Sequence, residues 1–127
     1  MGMIVWDTIL SYDYRRNYME HYVTDIKTLK EEKVMQVEVL YRMILLILTE
    51  DEIYAIEDRC PHLGISLSTG KIVSDTIKCK DHGLAISLKS GQVISENQAN
   101  YLRLDTTNRQ IKTYPVVVKQ DKVYLRL

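Results

Sequence analysis

Residues 59–87 read RCPHLGISLSTGKIVSDTIKCKDHGLAIS, and this stretch decides the fold of the chain. It contains both cysteines of the chain, Cys60 and Cys79, and two of its three histidines, His62 and His82. Each half, C-P-H and C-K-D-H, places a thiol and an imidazole within one tight turn. Two such loops brought together would offer two thiolates and two imidazoles to a metal. The pattern therefore predicts a metal site rather than a chance grouping.

The spacing within each half bears on which metal is bound. Zinc ligands of one half-site usually lie two to four residues apart, so that the loop closes on a single tetrahedral ion. Cys-x-His is tight for that purpose. It suits a binuclear cluster better, because neighbouring ligands can bind different irons. At this point a zinc-stabilised binding module is the alternative.

The flanks extend the pattern beyond four residues. YAIEDRCPHLGISLSTGKI and IKCKDHGLAISLKSGQV resemble the two cluster loops of the Rieske 2Fe–2S family, and TYPVVVKQDKVYLRL resembles the closing strands of a Rieske-type ferredoxin. In this family two histidines replace two cysteines on one iron. The resemblance implies one Rieske-type 2Fe–2S cluster per chain, with Cys60 and Cys79 on the inner iron and His62 and His82 on the outer iron.

Outside the loops the sequence has the pattern of β-strands. In VMQVEVLY, Val37, Val39 and Tyr41 alternate, and RMILLIL is an apolar run short enough for a buried strand. TEDE and KSGQ are turn signals, NYLRL, IKTYPVVV and KVYLRL are further strands, and Gln120–Asp121 joins the last two. Only IKTLKEE indicates a helical turn. Short strands with frequent turn signals predict an all-β sandwich or partly open barrel, and the resemblance implies a Rieske-type antiparallel β-sandwich with a small cluster-binding subdomain formed by two loops.

A chain of 127 residues is the size of one domain. We expect an N-terminal extension of unassigned role at residues 1–19, which packs on the domain or on a partner subunit. We expect the Rieske domain at residues 20–127 and the cluster-binding subdomain at about 57–90. Residues 95–113 contain no proline, unlike the covering segment of many relatives, so how the cluster is shielded stays open.

Composition and charge exclude some classes of partner. The chain has 17 basic and 17 acidic residues, so bulk attraction to nucleic acid or an anionic membrane is not expected. The charged residues flanking the two loops also balance, four basic against four acidic: Arg59, Lys71, Lys78, Lys80, Glu57, Asp58, Asp75 and Asp81. The longest apolar run is far shorter than the roughly 20 residues of a membrane helix, and no signal peptide is recognised. We expect a cytoplasmic location, where the cysteines stay reduced.

Four positions bear on whether the loops are bridged by a disulfide and on the reduction potential of the cluster. Respiratory Rieske proteins carry two more cysteines, which bridge the loops, and Ile65 and Asp81 stand in those places. The same proteins place hydroxyl side chains after the second histidine, where this chain has Leu84 and Ile86. Because hydrogen bonds to the cluster region stabilise the reduced state, their loss lowers the potential. We predict an unbridged, low-potential cluster.

These features predict a soluble one-electron carrier that passes electrons from a reductase to a terminal oxidoreductase and does no catalysis itself. The alternative is a small Rieske subunit of an oxidoreductase complex, either nitrite-reductase-like or an oxygenase accessory. An oxygenase subunit is excluded, because outside the motif only His21 is left for the two-histidine, one-carboxylate iron site. His21 itself is expected to be a surface or half-buried histidine.

Overall fold

The computed structural model describes residues 18–50, 52–61, 64–80, 84–95 and 110–127. Within these residues there are eleven strands and one helix, in the order β1 Glu20–Asp25, α1 Ile26–Glu32, β2 Val34–Val39, β3 Arg42–Leu48, β4 Ile53–Glu57, β5 Lys71–Val73, β6 Thr76–Lys78, β7 Ala85–Ser87, β8 Val93–Ser95, β9 Thr113–Tyr114, β10 Val116–Lys119 and β11 Lys122–Arg126. They form three antiparallel sheets, ordered β1-β11-β10, β2-β3-β4-β9 and β5-β6-β7-β8. The predicted all-β, antiparallel fold is confirmed.

Strand β3 is the centre of the molecule. Ile44 and Leu46 pack into one core with β11 and α1, whereas Leu45 and Ile47 pack into a second core with the cysteine segments. Because successive side chains of a strand point to opposite faces, a strand covered on both sides must be apolar at every position. This explains the uninterrupted apolar run from Ile44 to Ile47, all of which are buried, whereas Arg42 and Met43 at the start of the strand are exposed.

Helix α1 is the helical turn expected at IKTLKEE. Asp25 begins it by accepting a hydrogen bond from the Thr28 backbone N–H to its side-chain oxygen, at 2.8 Å. Leu29 is fully buried and fixes the helix on the β3 core. The described part of the chain contains no helix with the length and apolar character needed to cross a bilayer.

Two details differ from the sequence-based expectation. Strand β2 ends at Val39, and Tyr41 lies in the turn to β3 with 97% of its surface exposed, so its predicted place in the alternating strand is wrong. Pro115 divides IKTYPVVV into β9 and β10, which belong to different sheets, because proline cannot donate to a ladder. The predicted strand NYLRL, most of the covering segment 95–113 and most of the N-terminal extension lie outside the described residues.

Candidate metal centre

The two cysteines begin loops that close in the same way. In the first cysteine loop, residues 60–65, the Cys60 N–H donates to the Ile65 carbonyl at 2.7 Å. In the second cysteine loop, residues 79–84, the Cys79 N–H donates to the Leu84 carbonyl at 2.8 Å. Both hydrogen bonds span the same number of residues. Each loop therefore begins at a cysteine and is closed at its two ends by a backbone hydrogen bond.

Both thiols are buried in the same core. Cys60 is 0% exposed and Cys79 is 2% exposed, and neither forms a disulfide. They belong to one cluster of buried side chains, which includes Leu67 and Leu84. The fold therefore brings two residues that are far apart in the sequence into one core.

The two histidines of the predicted site, His62 and His82, lie outside the described residues, as does Asp81. Within the described ranges no three metal-ligating side chains gather at one point. The structure thus brings together the two cysteines of the predicted set, and the complete set of four ligands stays a prediction.

The first cysteine loop is anchored by a buried carboxylate, Asp58, which is only 8% exposed. Its oxygens accept hydrogen bonds from the Leu67 N–H at 2.8 Å, the Ser66 hydroxyl at 2.9 Å and the Gln36 side-chain amide at 2.8 Å. Asp58 also donates its own N–H to the Met43 carbonyl at 3.0 Å. These contacts tie the residues before and after the loop to strands β2 and β3.

Sequence reasoning missed this anchor, because it counted Asp58 only as one of the eight balanced charges around the loops. Burying a carboxylate is costly unless hydrogen bonds satisfy its oxygens, and the donors here come partly from Gln36, 22 positions away. No local pattern reveals a partner at that distance. Among the other flanking charges, Glu57 pairs with Arg59 at 3.0 Å, and Asp75 lies 4.0 Å from Lys89.

The second cysteine loop is held by backbone pairing instead. It connects β6 to β7, in which Lys78 pairs with Ala85, and the Cys79–Leu84 hydrogen bond continues that ladder. Leu84 and Ile86 are 1% and 0% exposed. The apolar side chains that replace the hydroxyl residues of respiratory relatives are thus part of the core around Cys79.

Among the described residues, four titratable groups have shifted pKa values, and all lie outside both loops: Glu20, His21 and Asp25 on β1, and Tyr114 on β9. His21 is half-buried, as expected, and burial lowers its pKa below the usual value. Burial by itself raises the pKa of Glu20, but hydrogen bonds and charge from Lys119 and Arg126 outweigh it, so the pKa is lowered overall. The ion pairs of Glu20 link β1 to β10 and β11, and none of these groups is part of the cysteine site.

Two surface grooves of about 880 and 690 Å³ open near the turn between β3 and β4. Their described lining residues include Thr49, Tyr54 and Lys89, but neither Cys60 nor Cys79. The two cysteines thus lie in the packed core, apart from both of these grooves.

The thiols present fit an iron–sulfur cluster better than a disulfide or a surface zinc site. Both are unbridged and water-excluded, and each begins a closed loop that also carries a histidine in the sequence. Thiolates are the usual protein ligands of such clusters, and hydrophobic burial is one of the features that set their potentials.

Comparison with known proteins agrees with this chemistry. The profile of the family described as Rieske [2Fe-2S] domain matches residues 19–115. Apoptosis-inducing factor 3 of Homo sapiens is 24% identical over 115 residues, which cover 91% of this chain and 18% of that protein. The 3-phenylpropionate/cinnamic acid dioxygenase ferredoxin subunit of Photorhabdus laumondii is 32% identical over 77 residues, covering 60% of this chain and 65% of that subunit.

The chain thus spans less than two thirds of the length of either of these relatives. Among solved structures, a chain of the complex between reduced oxygenase and oxidized ferredoxin in carbazole 1,9a-dioxygenase has a TM-score of 0.67 at 24% identity. That match covers 84% of this chain and 91% of the other, and it shows a shared fold. The chain belongs to the Rieske [2Fe-2S] domain family, whose cofactor is a 2Fe–2S cluster.

Proposed function

We propose that the chain is a one-electron carrier that holds its Rieske 2Fe–2S cluster with Cys60, His62, Cys79 and His82. It accepts an electron from a reductase and delivers it to a terminal oxidoreductase. One observation carries this proposal. Two buried cysteines without a disulfide lie in one core, and each begins a loop that is closed by a backbone hydrogen bond to the residue five positions later.

The residues of the chain have distinct tasks in this function. Cys60 and Cys79 would supply thiolates to the inner iron, and the surrounding core excludes water from them. His62 and His82 would hold the outer iron. Asp58 fixes the position of the first loop through its hydrogen bonds. When bound, the cluster takes up and releases a single electron.

Metal and spectroscopic analysis of the purified protein tests the proposal. We expect two irons and two inorganic sulfides per chain, a red-brown colour, and a low-average-g EPR signal after reduction. His62→Cys and His82→Cys variants should change that signal by altering the ligands of the outer iron. A colourless protein with one bound zinc would instead support the zinc-stabilised module.

The partner proposal rests on the relatives. The names of several of them describe ferredoxin subunits of dioxygenases, and the carbazole dioxygenase structure is a complex of oxygenase with ferredoxin. We infer that the terminal acceptor of this chain is an oxygenase-type enzyme. Size-exclusion chromatography of a native host lysate separates the two arrangements: a carrier elutes alone, whereas a permanent subunit elutes with the larger enzyme.

The potential should lie at the lower end of the Rieske span, which runs from roughly −150 to +300 mV. Leu84 and Ile86 support this, since neither side chain can donate a hydrogen bond to a cluster sulfur. The imidazole N–H groups of His62 and His82 should make the potential fall as pH rises in the alkaline range. Redox titration decides the matter: a value above about +100 mV would contradict the proposal.

The proposed domain organisation is an extension at 1–19 and a Rieske domain at 20–127, with the cluster-binding subdomain near 57–90. The third sheet, β5 to β8, supports a separate subdomain because it shares no strand pairing with the other two among the described residues. We also propose a cytoplasmic location, on the grounds that Cys60 and Cys79 are unbridged. Expression of a tagged chain in the host, followed by fractionation, tests the location.

A further inference from the structure

The turn between β2 and β3 exposes three large apolar side chains within four positions. Leu40 is 57% exposed, Tyr41 97% and Met43 46%; we term these three residues the apolar tip. The other strongly exposed large apolar side chains of the described residues lie singly in separate segments, namely Ile65, Val73, Ile94 and Val118. Clustered exposed apolar residues mark interaction surfaces, whereas single ones are ordinary.

The apolar tip lies at the end of the sheet where the chain enters the first cysteine loop. In the β3–β4 pair, Ile44 lies opposite Glu57, the last residue of β4. The Met43 carbonyl then accepts the N–H of Asp58, two residues before Cys60. The tip is therefore next to the loop that begins at Cys60.

The backbone of the tip is strained for its residues. Leu40 and Tyr41 have φ angles of 51° and 65°, and Val39 pairs with Arg42, so this is a two-residue turn with positive φ at both positions. Such turns favour Asn-Gly, because bulky side chains are unfavourable in the left-handed region. Neither burial nor backbone preference accounts for leucine and tyrosine here.

The hairpin between β10 and β11 provides an internal comparison. Gln120 and Asp121 have φ angles of 50° and 66° and form the same two-residue turn, since Lys119 pairs with Lys122. Strand β9 runs antiparallel to β4, and the chain then continues through β10, so this second turn lies away from the cysteine loops. There the chain uses two polar residues; we term this pair the polar tip.

We propose that the apolar tip is a docking surface for the redox partner of this chain, a protein whose own cofactor lies beneath an apolar patch. The inference rests on the proposed electron-transfer function. Electron transfer requires the two cofactors to approach closely, and a contact beside the first cysteine loop brings the partner to that end of the molecule. Exposed aromatic and methionine side chains are the residue types enriched in the centres of protein interfaces.

The charges around the tip favour an apolar partner over a charged one. Arg42 and Glu38 are both exposed and opposite in sign, and Arg59 is already paired with Glu57 at 3.0 Å. With the buried carboxylate of Asp58 included, two basic and three acidic side chains surround the tip, so the local formal charge is only −1. Docking should depend only weakly on salt, unlike docking between complementary charged surfaces.

A matched pair of double variants tests the proposal. Leu40→Asn/Tyr41→Gly converts the apolar tip to the preferred turn sequence, and Gln120→Asn/Asp121→Gly makes the same change at the polar tip. Both variants should fold, because Asn-Gly adopts the positive φ angles of this turn with less strain than the original residues. Anaerobic protein of each kind is mixed with NAD(P)H and the soluble fraction of host cells, and cluster reduction is followed by absorbance. Dithionite, a small reductant that needs no docking surface, serves as the reference.

We expect the apolar-tip variant to be reduced about tenfold more slowly than the unsubstituted protein, as for loss of an interface anchor. Its iron content, potential and rate with dithionite should be unchanged, and the polar-tip variant should match the unsubstituted protein throughout. Equal rates for the two variants would overturn the docking proposal. If the unsubstituted protein itself is not reduced by the host fraction, the carrier function fails, and this inference fails with it.

Two further measurements distinguish other occupants of the tip. Sedimentation of the purified protein should give a monomer; a dimer that dissociates in the apolar-tip variant would assign the surface to a second copy of the chain. Trp6 is the only tryptophan of the chain. Its fluorescence should be the same in the unsubstituted and variant proteins, since a shift would mean that the N-terminal segment covers the tip.

Discussion

The two cysteine loops are closed by equivalent hydrogen bonds but are held in place by different contacts. The second loop joins two adjacent strands, and its closing hydrogen bond from Cys79 to Leu84 continues the β6–β7 ladder. The first loop follows β4 but does not return to it. It is held instead by Asp58, whose carboxylate collects donors from Leu67, Ser66 and Gln36.

The second loop is therefore fixed by local strand pairing, whereas the first loop is fixed by tertiary contacts. A hairpin loop is fixed by residues on either side of it in the sequence, so it forms wherever its strands form. The first loop depends on a strand that lies far earlier in the chain. Substitutions that act on one loop alone, or on both, therefore test this distinction.

The largest expected effect is loss of cluster binding, and a change in either loop should cause it. Cys60→Ser and Cys79→Ser should each abolish cluster binding, because thiolate is the metal ligand and a serine hydroxyl does not replace it. Iron and sulfide assays of the purified variants measure the loss. His21→Gln, at the histidine outside the motif, should retain both irons. A cysteine variant with full iron content would remove that cysteine from the ligand set.

The next effect should be confined to the first loop. Asp58→Ala leaves the buried N–H of Leu67 without its acceptor and removes the acceptor that also binds Ser66 and Gln36, so the free energy of unfolding should fall by about 2–3 kcal/mol. Urea denaturation measures this change, and iron should also be released faster to a chelator. The matched control is Asp75→Ala, whose carboxylate is exposed and 4.0 Å from Lys89. That change should cost less than about 0.5 kcal/mol.

A smaller loss of stability is expected where the segment after the first loop contacts the strand before the second loop. A Cβ at Gly70 would lie 2.6 Å from the carbonyl oxygen of Lys78, the residue before Cys79. Gly70→Ala should therefore lower the free energy of unfolding by about 2 kcal/mol through overpacking. At Gly64, in the first loop, φ is 74° but a Cβ would meet no atom within 4 Å. Gly64→Ala should cost only about 1 kcal/mol, and calorimetry ranks the two; equal costs would contradict the close contact.

The smallest effect should come from outside both loops. Burial lowers the pKa of His21 in the folded chain, so the folded state binds fewer protons than the unfolded state just below pH 6.5. The contribution of His21 to the free energy of unfolding is thus fully present above that pH, and it is lost as pH falls towards the pKa of the folded state. Denaturation at pH 7.5 and 5.5 measures it, and His21→Gln should reduce the difference. An unchanged difference would assign the pH dependence to other groups.

Much of the fold could be predicted from local sequence patterns. The apolar run RMILLIL predicted β3, the turn signal KSGQ predicted the bend before β8, and IKTLKEE predicted α1. These features depend on neighbours in the sequence. Tyr41 was misplaced for a physical reason: alternation continues through VEVLY, but the register Val39–Arg42 places the turn one step earlier than the pattern indicates.

The sequence alone indicated a Rieske 2Fe–2S cluster, because its two short Cys/His loops and their flanking strands resemble those of that family, and the family match supports this. It also determined the second cysteine loop, whose strands lie on either side of it. Only the tertiary structure decided that Asp58 is buried and anchors the first loop, and that Leu40 and Tyr41 stand beside it. Both depend on strands brought together by the shared cores, and no pattern within a short stretch of sequence carries that information.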